Sequence, residues 1–320
     1  MALFDSVEID LKEKLDPSIA ESKPLSIALG MFDGIHLGHQ SVIGSARKEA
    51  EVSGGCSGVL TFDPHPSKVL RPEKATPLIY PRFLKRKLIF DEGIDLIIWK
   101  DFSMEFAAVK AEDFLPELLS RFSNLKSIHV GANFRFGNKR LGDVSLLESM
   151  GKDIGVDIYR CERVSRNSEW ISSTALRGMI SEGKISLAAE LFGKPYFCMG
   201  HQMKGKGLGS KIGFSTLNIP WEPELTPRFG VYVVKGKKAG GDDYFYGIAN
   251  YGVRPTVEET DRPVLETHVL AGPTEFSKDN EMIIEWLDFI RPEKKFSGIE
   301  ALTDQIKKDV AFARKYFNLQ

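Results

Sequence analysis

Two histidines at the start of a predicted helix are the first residues whose types and spacing could do chemistry. His36 and His39 lie three positions apart in a glycine-rich run that directly follows a short β-rich stretch. Residues three apart on a helix share one face, so both imidazoles can donate hydrogen bonds to one group. Gly30 and Gly38 let the backbone approach a ligand, and the helix start offers free N–H groups to a phosphate. The run therefore predicts an anion site.

Two alternatives to that anion site remain open. One is a glycine-rich turn that contains a satisfied histidine. The other is a zinc site, which is disfavoured because no cysteine or third histidine lies nearby in the sequence.

A hydroxyl-rich segment further along the chain predicts a second anion-binding element. Ser172 or Ser173 can cap the helix that follows, while the remaining hydroxyls, including that of Thr174, stay available. Arg177 lies one turn further on and can add a fork of donors. The alternative is an ordinary capped helix.

The second half contains a glycine- and lysine-rich loop at residues 205–214. It is not a Walker A loop, because no Gly-Lys-Ser/Thr run enters a helix. Thr216 and Asn218 follow it, two apart on a predicted strand, so they point the same way and can hold Mg²⁺ together with nucleotide phosphates. The alternatives are a flexible turn and two exposed polar residues on the wet face of a strand.

The first two segments together resemble the nucleotidylyltransferase superfamily. Its HxGH motif reads His36-Leu37-Gly38-His39 here, and its distal SSTxxR motif reads Ser172 to Arg177. Leu60 to Pro66 and Val130 to Gly137 are similar to motifs of the bacterial bifunctional riboflavin kinase/FMN adenylyltransferase family, also called FAD synthetase. The resemblance covers about residues 25 to 317. It implies that ATP is bound by Gly30, Phe32, Gly38, Ser172, Ser173, Thr174 and Arg177.

The same resemblance implies a flavin site at the ends of two predicted strands. The implied flavin-binding residues are Phe62, Asp63, Pro64, Asn133, Phe134 and Arg135. Without the resemblance, Phe62 and Phe134 could equally be core aromatics. The implied reaction is in-line attack of the FMN phosphate on the α-phosphorus of ATP, with release of pyrophosphate. His36 and His39 would stabilise charge at the α-phosphate, and Mg²⁺ would bridge phosphate oxygens.

In the second half, residues 213–218 are similar to the riboflavin kinase motif GFPTAN. Leu265 to His268 resembles the catalytic strand of that enzyme, and the segment from Arg291 to Phe296 matches its closing segment. The resemblance implies that Glu266 is the base that positions the ribityl 5′-hydroxyl for attack on the γ-phosphate. It also implies that Gly205, Lys206 and Gly213 contact ATP and that Thr216 and Asn218 hold Mg²⁺. Ser210, Ser215 and Leu217 depart from the family pattern, so we expect a working but altered kinase.

The implied partners are riboflavin, FMN, FAD and ATP. Two other functions remain open. One is an adenylyl- or cytidylyltransferase of another small phosphate ester, with a β-domain that is impaired or only binds ligand. The other is a non-enzymatic flavin-binding protein, against which the retained His36, His39, Arg177 and Glu266 argue.

Strands and helices alternate in the first half, which predicts a Rossmann-like α/β domain with ligands at the carboxyl ends of its strands. The β-rich runs begin near residues 25, 58, 94, 127 and 156, and helical stretches lie between them. A further helical stretch, from 173 to 192, closes this half. Closely spaced strands then follow without helices, which predicts a six-stranded antiparallel barrel covered by a terminal helix at 298–317. The predicted domains are residues 1–193, an FMN adenylyltransferase, and 195–320, a riboflavin kinase.

Composition sets limits on where and with what the protein acts. Its 320 residues are 42% hydrophobic and 27% charged, with a net charge of -1, so no overall attraction to nucleic acid or anionic membranes is expected. Three distant cysteines fit no disulfide framework. The acidic N-terminal stretch predicts neither a signal nor a transit peptide, and no apolar run is long enough to span a membrane. We therefore expect a cytoplasmic enzyme.

Overall fold

A computed structural model divides the chain into two compact units, Met1–Ser173 and Thr174–Gln320. It describes residues 7–11, 22–166, 168–203, 216–253, 263–274, 276–277 and 280–319. The boundary predicted between residues 193 and 195 separates two segments that are each expected to fold alone, and this stays a prediction. Within the described ranges, no helix is both long and apolar enough to cross a membrane.

The first unit is organised around one sheet. Its strands are β1 (Val7–Leu11), β2 (Leu25–Leu29), β3 (Cys56–Asp63), β4 (Leu96–Asp101), β5 (Leu125–Gly131), β6 (Arg135–Phe136), β7 (Gly142–Asp143), β8 (Asp157–Cys161), β9 (Ser165–Arg166) and β10 (Glu169–Trp170). Six of them form the sheet in the order β1-β4-β3-β2-β5-β8. All neighbours are parallel except β1 and β4, which are antiparallel. The predicted α/β class of this half is therefore confirmed.

Helices connect these strands. They are α1 (Leu37–Ser53), α2 (Pro66–Leu70), α3 (Arg82–Asp91), α4 (Met104–Ala107), α5 (Ala111–Arg121) and α6 (Val144–Ile154). The ends of α6 show why these segments start and stop where they do. The carboxylate of Asp143 accepts the backbone N–H of Leu146 at 3.0 Å, and Gly155 adopts the left-handed conformation that ends the helix.

In the first unit, the carboxyl ends of the parallel strands form an edge of the sheet next to the start of α1. All five residues of β2 are buried, as expected for a mainly apolar strand that is covered on both faces. β2 lies between β3 and β5, which is the point where the strand order reverses. Because the carboxyl ends of parallel strands share one edge, the loop after β2 that leads into α1 lies in the position typical of a ligand site.

The second unit is an antiparallel barrel preceded by two helices. Helix α7 (Ser173–Glu182) begins at the last residue of the first unit, and α8 (Ile185–Phe192) follows it. The strands are β11 (Tyr196–His201), β12 (Thr216–Pro220), β13 (Gly230–Lys238), β14 (Phe245–Val253), β15 (Pro263–Ala271) and β16 (Glu281–Pro292). They pair antiparallel in the order β11-β16-β13-β14-β15-β12, and a bridge between Met203 and Asn218 joins the two ends. The predicted six-stranded antiparallel architecture is confirmed.

Aromatic side chains fill the barrel. Trp286 is fully buried, and its ring contacts those of Tyr196, Tyr232 and Tyr251 at centroid distances of 4.6 to 5.7 Å. Rings of this size supply the apolar area that a small barrel needs.

The terminal helix, α9 (Ile299–Phe317), covers the barrel as predicted. Its Ala313 packs in a buried cluster with Val231, Val233 and Ile248 of the strands. An ion pair also joins the two elements. The Arg291 guanidinium donates from Nε and Nη2 to the Asp309 carboxylate at 3.0 and 2.8 Å, and the Asp309 side chain is 2% exposed.

Removing one partner of this buried pair should destabilise the second unit strongly. Asp309→Ala leaves the Arg291 guanidinium without its counter-charge, so we expect the free energy of unfolding to fall by about 3 to 5 kcal/mol. Urea unfolding followed by tryptophan fluorescence measures the loss. Asp304→Ala is the matched control on the same helix, because Asp304 is 70% exposed. Its effect should stay within about 0.5 kcal/mol, and equal effects of the two variants would contradict the prediction.

Candidate active site

The loop between β2 and α1 is held in an unusual backbone conformation. Phe32 and Ile35 have left-handed φ values of 48° and 43°, although neither is glycine and both side chains are buried. Each such residue costs about 1 to 3 kcal/mol and persists only where its surroundings enforce it. Strained, buried loops of this kind are typical of active sites.

Hydrogen bonds from three separate segments enforce this conformation. The Asp33 carboxylate accepts the backbone N–H of Ile79 at 3.0 Å, and the Asp33 carbonyl accepts the hydroxyl of Ser173 at 2.9 Å. The side-chain amide of Gln40 donates to the carbonyl of Ile35 at 2.9 Å. Ser173 belongs to the distal motif, so the structure brings one residue of that motif to the loop that precedes the histidines.

His36 is the N-cap of α1 rather than a residue inside it. Its Nδ1 accepts the backbone N–H of His39 at 3.2 Å, and burial lowers the pKa of His36 to about 4. The imidazole is therefore neutral at pH 7, with its proton on Nε2. The rings of His36 and His39 stack with centroids 3.7 Å apart and planes 15° apart. The predicted proximity of the two histidines is thus present, and His36 can act as a neutral donor.

Two glycines leave space for the aromatic rings of this site. A Cβ on Gly38 would lie 3.2 Å from the His36 ring, and one on Gly30 would lie 3.1 Å from the Phe32 ring. The edge of the Phe32 ring contacts His39, with 5.4 Å between centroids. The predicted ATP-site residues Gly30, Phe32 and Gly38 therefore form one packed group with the histidines.

A second buried histidine makes the first unit sensitive to acid. His129 on β5 is bonded through its ring nitrogens to the hydroxyls of Ser45 and Ser127 at 2.8 and 3.0 Å. Burial lowers the pKa of His129 to about 4, as it does for His36. Both values lie below the ordinary value of 6.5, so between pH 6.5 and 4 the unfolded chain binds more protons than the folded chain.

The free energy of unfolding should therefore fall as pH drops from 7 to 4.5, by about 2 to 3 kcal/mol for each of the two histidines. Replacing His129 with glutamine should remove one histidine's share of this pH dependence. Urea unfolding at both pH values measures it. His201→Gln, at an exposed position, is the control. An unchanged pH dependence in His129→Gln would contradict the prediction.

The other residues of the distal motif lie along one helix. Ser172 precedes α7, Ser173 is its first residue, and Thr174 and Arg177 lie in the part of α7 that belongs to the second unit. Their contribution to an ATP site stays a prediction.

The predicted flavin residues lie at the ends of β3 and β5. Phe62 is partly buried against Phe106, with ring centroids 5.6 Å apart. The Asp63–Pro64 bond is cis, and Asp63 forms an ion pair with Arg82 at 3.1 Å. Phe62 therefore lies at the border of the core, and its contact with a flavin stays a prediction.

The segment after β5 has the same character. Phe134 is partly buried and stacks on Phe136, with centroids 5.8 Å apart, while Asn133 and Arg135 are exposed. Both predicted flavin segments thus contain a partly buried aromatic ring, which is followed by the half-buried Asp63 in one segment and flanked by the exposed Asn133 and Arg135 in the other.

The barrel brings the predicted kinase residues onto one face. Asn218 on β12 and Asn250 on β14 are each directly opposite Glu266 on β15, and Thr216 is opposite His268. Directly opposite residues of antiparallel strands point to the same side. The side chains of Asn218, Glu266 and Asn250 therefore form a row across three strands.

Asn250 is a member of this row that the sequence patterns do not predict. The Asn250 amide donates to the Glu293 carboxylate at 3.5 Å. Glu293 lies within the closing segment from Arg291 to Phe296, but Asn250 lies in none of the matched motifs, and the alternation of β14 gives no reason to select it. Leu217, one of the departures from the family pattern, is 5% exposed and lies opposite Thr267, so its side chain points away from the row and is part of the barrel packing.

The side chains of this row suit Mg²⁺ that is held mainly by phosphate. Thr216 and Asn218 offer neutral oxygens beside the carboxylate of Glu266. No group of three or more histidine, cysteine, aspartate or glutamate residues that could hold a metal occurs in the described part of the chain. The predicted loop residues Gly205, Lys206, Gly213, Ser210 and Ser215 lie outside the described residues.

Comparison with known proteins follows the same two-part division. Residues 18–175 match the FAD synthetase family, and residues 192–317 match the riboflavin kinase family. The bifunctional riboflavin kinase/FMN adenylyltransferase of Escherichia coli K12 is 32% identical over 92% of this chain and 93% of its own length. That of Bacillus subtilis 168 is 33% identical over 94% of this chain and 95% of its own. The chain belongs to the bifunctional riboflavin kinase/FMN adenylyltransferase family.

Family membership confirms the predicted family and enzyme class. Because both domains of the bifunctional enzyme are present, the main prediction is favoured over a single-activity transferase. A crystal structure described as a macrolide-efflux protein from Streptococcus pneumoniae has a TM-score of 0.80 and 26% identity, and covers 95% of this chain and 96% of that one. It supports the fold over nearly the whole chain.

Proposed function

We propose a division of labour in which the first unit adenylylates FMN to FAD and the second phosphorylates riboflavin to FMN, both from ATP. The stacked pair of His36 and His39 at the start of α1 is the observation that carries the first assignment. Because Nδ1 of His36 is engaged by the backbone, its Nε2–H is the donor available to a phosphate oxygen.

In the first reaction, an oxygen of the FMN phosphate attacks the α-phosphorus of ATP in line with the leaving pyrophosphate. His36 and His39 donate to the α-phosphate as charge accumulates there, and the N-terminus of α1 adds favourable dipoles. Gly30, Phe32 and Gly38 shape the site, while Ser172, Ser173, Thr174 and Arg177 hold the triphosphate. Such a reaction needs positioning and charge neutralisation more than a protein nucleophile.

The flavin of FMN would bind at the ends of β3 and β5. The partly buried rings of Phe62 and Phe134 supply apolar contact, as flavin rings require. The remaining predicted residues would surround it: Asp63, Pro64, Asn133 and Arg135.

In the second reaction, Glu266 accepts the proton of the ribityl 5′-hydroxyl, whose oxygen attacks the γ-phosphorus of ATP, and ADP leaves. Thr216 and Asn218 would hold Mg²⁺, which neutralises phosphate charge when it is bound. Gly205, Lys206 and Gly213 would contact ATP. The row of Asn218, Glu266 and Asn250 on one face of the barrel supports this assignment.

We also propose a cytoplasmic location and domains at 1–193 and 195–320 that fold separately. Three cysteines that are free and buried suit a reducing compartment. The division of the chain into two compact units, Met1–Ser173 and Thr174–Gln320, supports two parts that fold separately, although it lies about twenty residues before the proposed boundary.

Product analysis tests the proposed function directly. The full chain is incubated with riboflavin and ATP, with and without Mg²⁺, and chromatography separates FMN from FAD. Both products should form, and only with Mg²⁺. A parallel reaction starts from FMN, so that FAD from FMN but no FMN from riboflavin would contradict the kinase assignment alone. If neither FMN nor FAD forms, both assignments are contradicted.

A further inference from the structure

A buried lysine lies beneath the loop that leads to the two histidines. Lys85 on α3 is 6% exposed, although it carries a charge, and it occupies the apolar face of its helix beside Leu84 and Leu88. Charged side chains are almost never buried to this degree without partners that hold them. None of the reaction steps proposed above uses Lys85, so its burial needs another explanation.

The Lys85 ammonium holds the backbone of this loop. Its Nζ donates to the carbonyl of Met31 at 2.5 Å and to the hydroxyl of Thr61 at 2.7 Å. The hydroxyl of Thr61 donates in turn to the same Met31 carbonyl at 3.1 Å. A charged donor and a neutral donor thus converge on one carbonyl oxygen, and hydrogen bonds from charged groups are the stronger ones.

That carbonyl belongs to the peptide group between Met31 and Phe32, next to the aromatic rings of the site. Met31 immediately precedes Phe32, whose left-handed backbone is unfavourable without external support. The Phe32 ring contacts His39 edge to face, and His39 stacks on His36. A contiguous set of contacts therefore runs from the Lys85 ammonium through one peptide group to the two imidazoles.

The charges around Lys85 show that its protonated form is retained at neutral pH. Burial lowers the pKa of Lys85 to about 8, while the carboxylates of Asp33 and Asp63 oppose this shift and Arg82 adds to it. The aromatic face of Trp99 also lies 5.3 Å from Nζ. The ammonium form therefore predominates at pH 7 and is lost as pH rises past about 8.

We propose that Lys85 is a positioning residue for the adenylyl transfer, which fixes the Met31 peptide and thereby the orientation of Phe32 and the histidine pair. This inference rests on the proposed role of His36 and His39. Lys85 touches neither ATP nor FMN in this proposal, so its effect should appear in turnover rather than in substrate binding.

Lys85→Met tests the proposal, since methionine keeps an unbranched apolar side chain but cannot donate. We expect kcat for FAD formation from FMN to fall about 10- to 100-fold, the range typical of a small misplacement at a reacting centre. KM for ATP and FMN should change less than about threefold. FMN formation from riboflavin by the same protein should be unchanged, which separates lost positioning from general unfolding. Lys87→Met is the matched control, because Lys87 lies on the same helix but is exposed and pairs with Asp91.

The pH profile gives a second readout. In the unsubstituted protein, kcat for FAD formation should fall above pH 8, and Lys85→Met should lack this fall. If Lys85→Met does not fold, Thr61→Val replaces it, because valine keeps the shape of threonine and removes the second donor. The expected loss for Thr61→Val is about 3- to 10-fold in kcat.

Two results would overturn the proposal: a kcat within twofold of the unsubstituted protein in the folded variant, or a loss shared equally by the kinase reaction. His39→Ala is measured in parallel. If His39→Ala is also without effect, the proposed function of the histidine pair fails; if only Lys85→Met is without effect, the inference about Lys85 fails alone.

Discussion

Replacing His36 or His39 with alanine is expected to reduce FAD formation from FMN by about 10²- to 10³-fold, while phosphorylation of riboflavin continues. The size of the effect follows from removing a preorganised donor to a transition-state oxyanion, which costs roughly 3 to 4 kcal/mol. The two imidazoles stack at the start of α1. Each should therefore matter, because both can reach the same phosphate group. Steady-state assays with supplied FMN and ATP measure the loss.

The structure adds a control that separates catalysis from folding. His36 caps α1 through Nδ1, so His36→Ala also removes a helix cap worth about 1 kcal/mol. His36→Asn keeps a side-chain acceptor that caps well, but it lacks the imidazole Nε2–H. If His36→Asn restores activity as well as stability, the role of His36 is structural. A loss below tenfold in both alanine variants would contradict the assignment of the histidines.

Glu266→Gln should stop FMN production and leave FAD production from supplied FMN intact. Glutamine keeps the size of the side chain and much of its hydrogen bonding, but it cannot accept the hydroxyl proton, and a general base contributes about 10²- to 10⁴-fold. Asn218 and Asn250 lie on either side of Glu266 in the barrel. Their amides should hold the glutamine in place, so the loss should be one of chemistry. Chromatography of products from riboflavin and from FMN measures the two reactions separately.

The matched control is Glu300→Gln, at an exposed position in the first turn of α9. It should leave both reactions unchanged. Loss of both reactions in a folded Glu266→Gln protein would mean that the two activities are coupled. Loss of neither would make Glu266 an ordinary strand residue, and would mean that riboflavin phosphorylation needs no base at this position.

Most of the fold could be predicted because its strands and helices carry strong local patterns. The mainly apolar run of β2 and the glycine at the end of α6 are local signals, since each can be read from a few neighbouring residues of the sequence. β1 was missed for a physical reason. Its residues alternate as in a strand, but the carboxylates of Glu8 and Asp10 are disfavoured there, and their partners Arg82 and Arg86 lie more than seventy residues away.

The site was predicted less completely than the fold. Spacing alone indicated that His36 and His39 would lie together, since i and i+3 positions share a helix face. Spacing could not show that Nδ1 of His36 is used by the backbone, because that depends on where the helix begins. It could not select Lys85 or Asp33 either, since their partners, Met31 and Ile79, are brought to them only by tertiary folding. A lysine on an apolar helix face was the one available signal.

Asn218 lies both in the row with Glu266 and at the place where the barrel closes. Among the described residues, the first and last strands are joined by the Met203–Asn218 bridge, and the side chain of Asn218 lies in the row with Glu266. If the barrel opens at this junction, Asn218 loses its bridge to Met203, and a ligand that binds only the closed form suppresses such opening by mass action. Nucleotide bound at the proposed kinase site would then stabilise the closed barrel. The resistance of the barrel to proteases and to amide hydrogen exchange would therefore increase with the concentration of its own substrates.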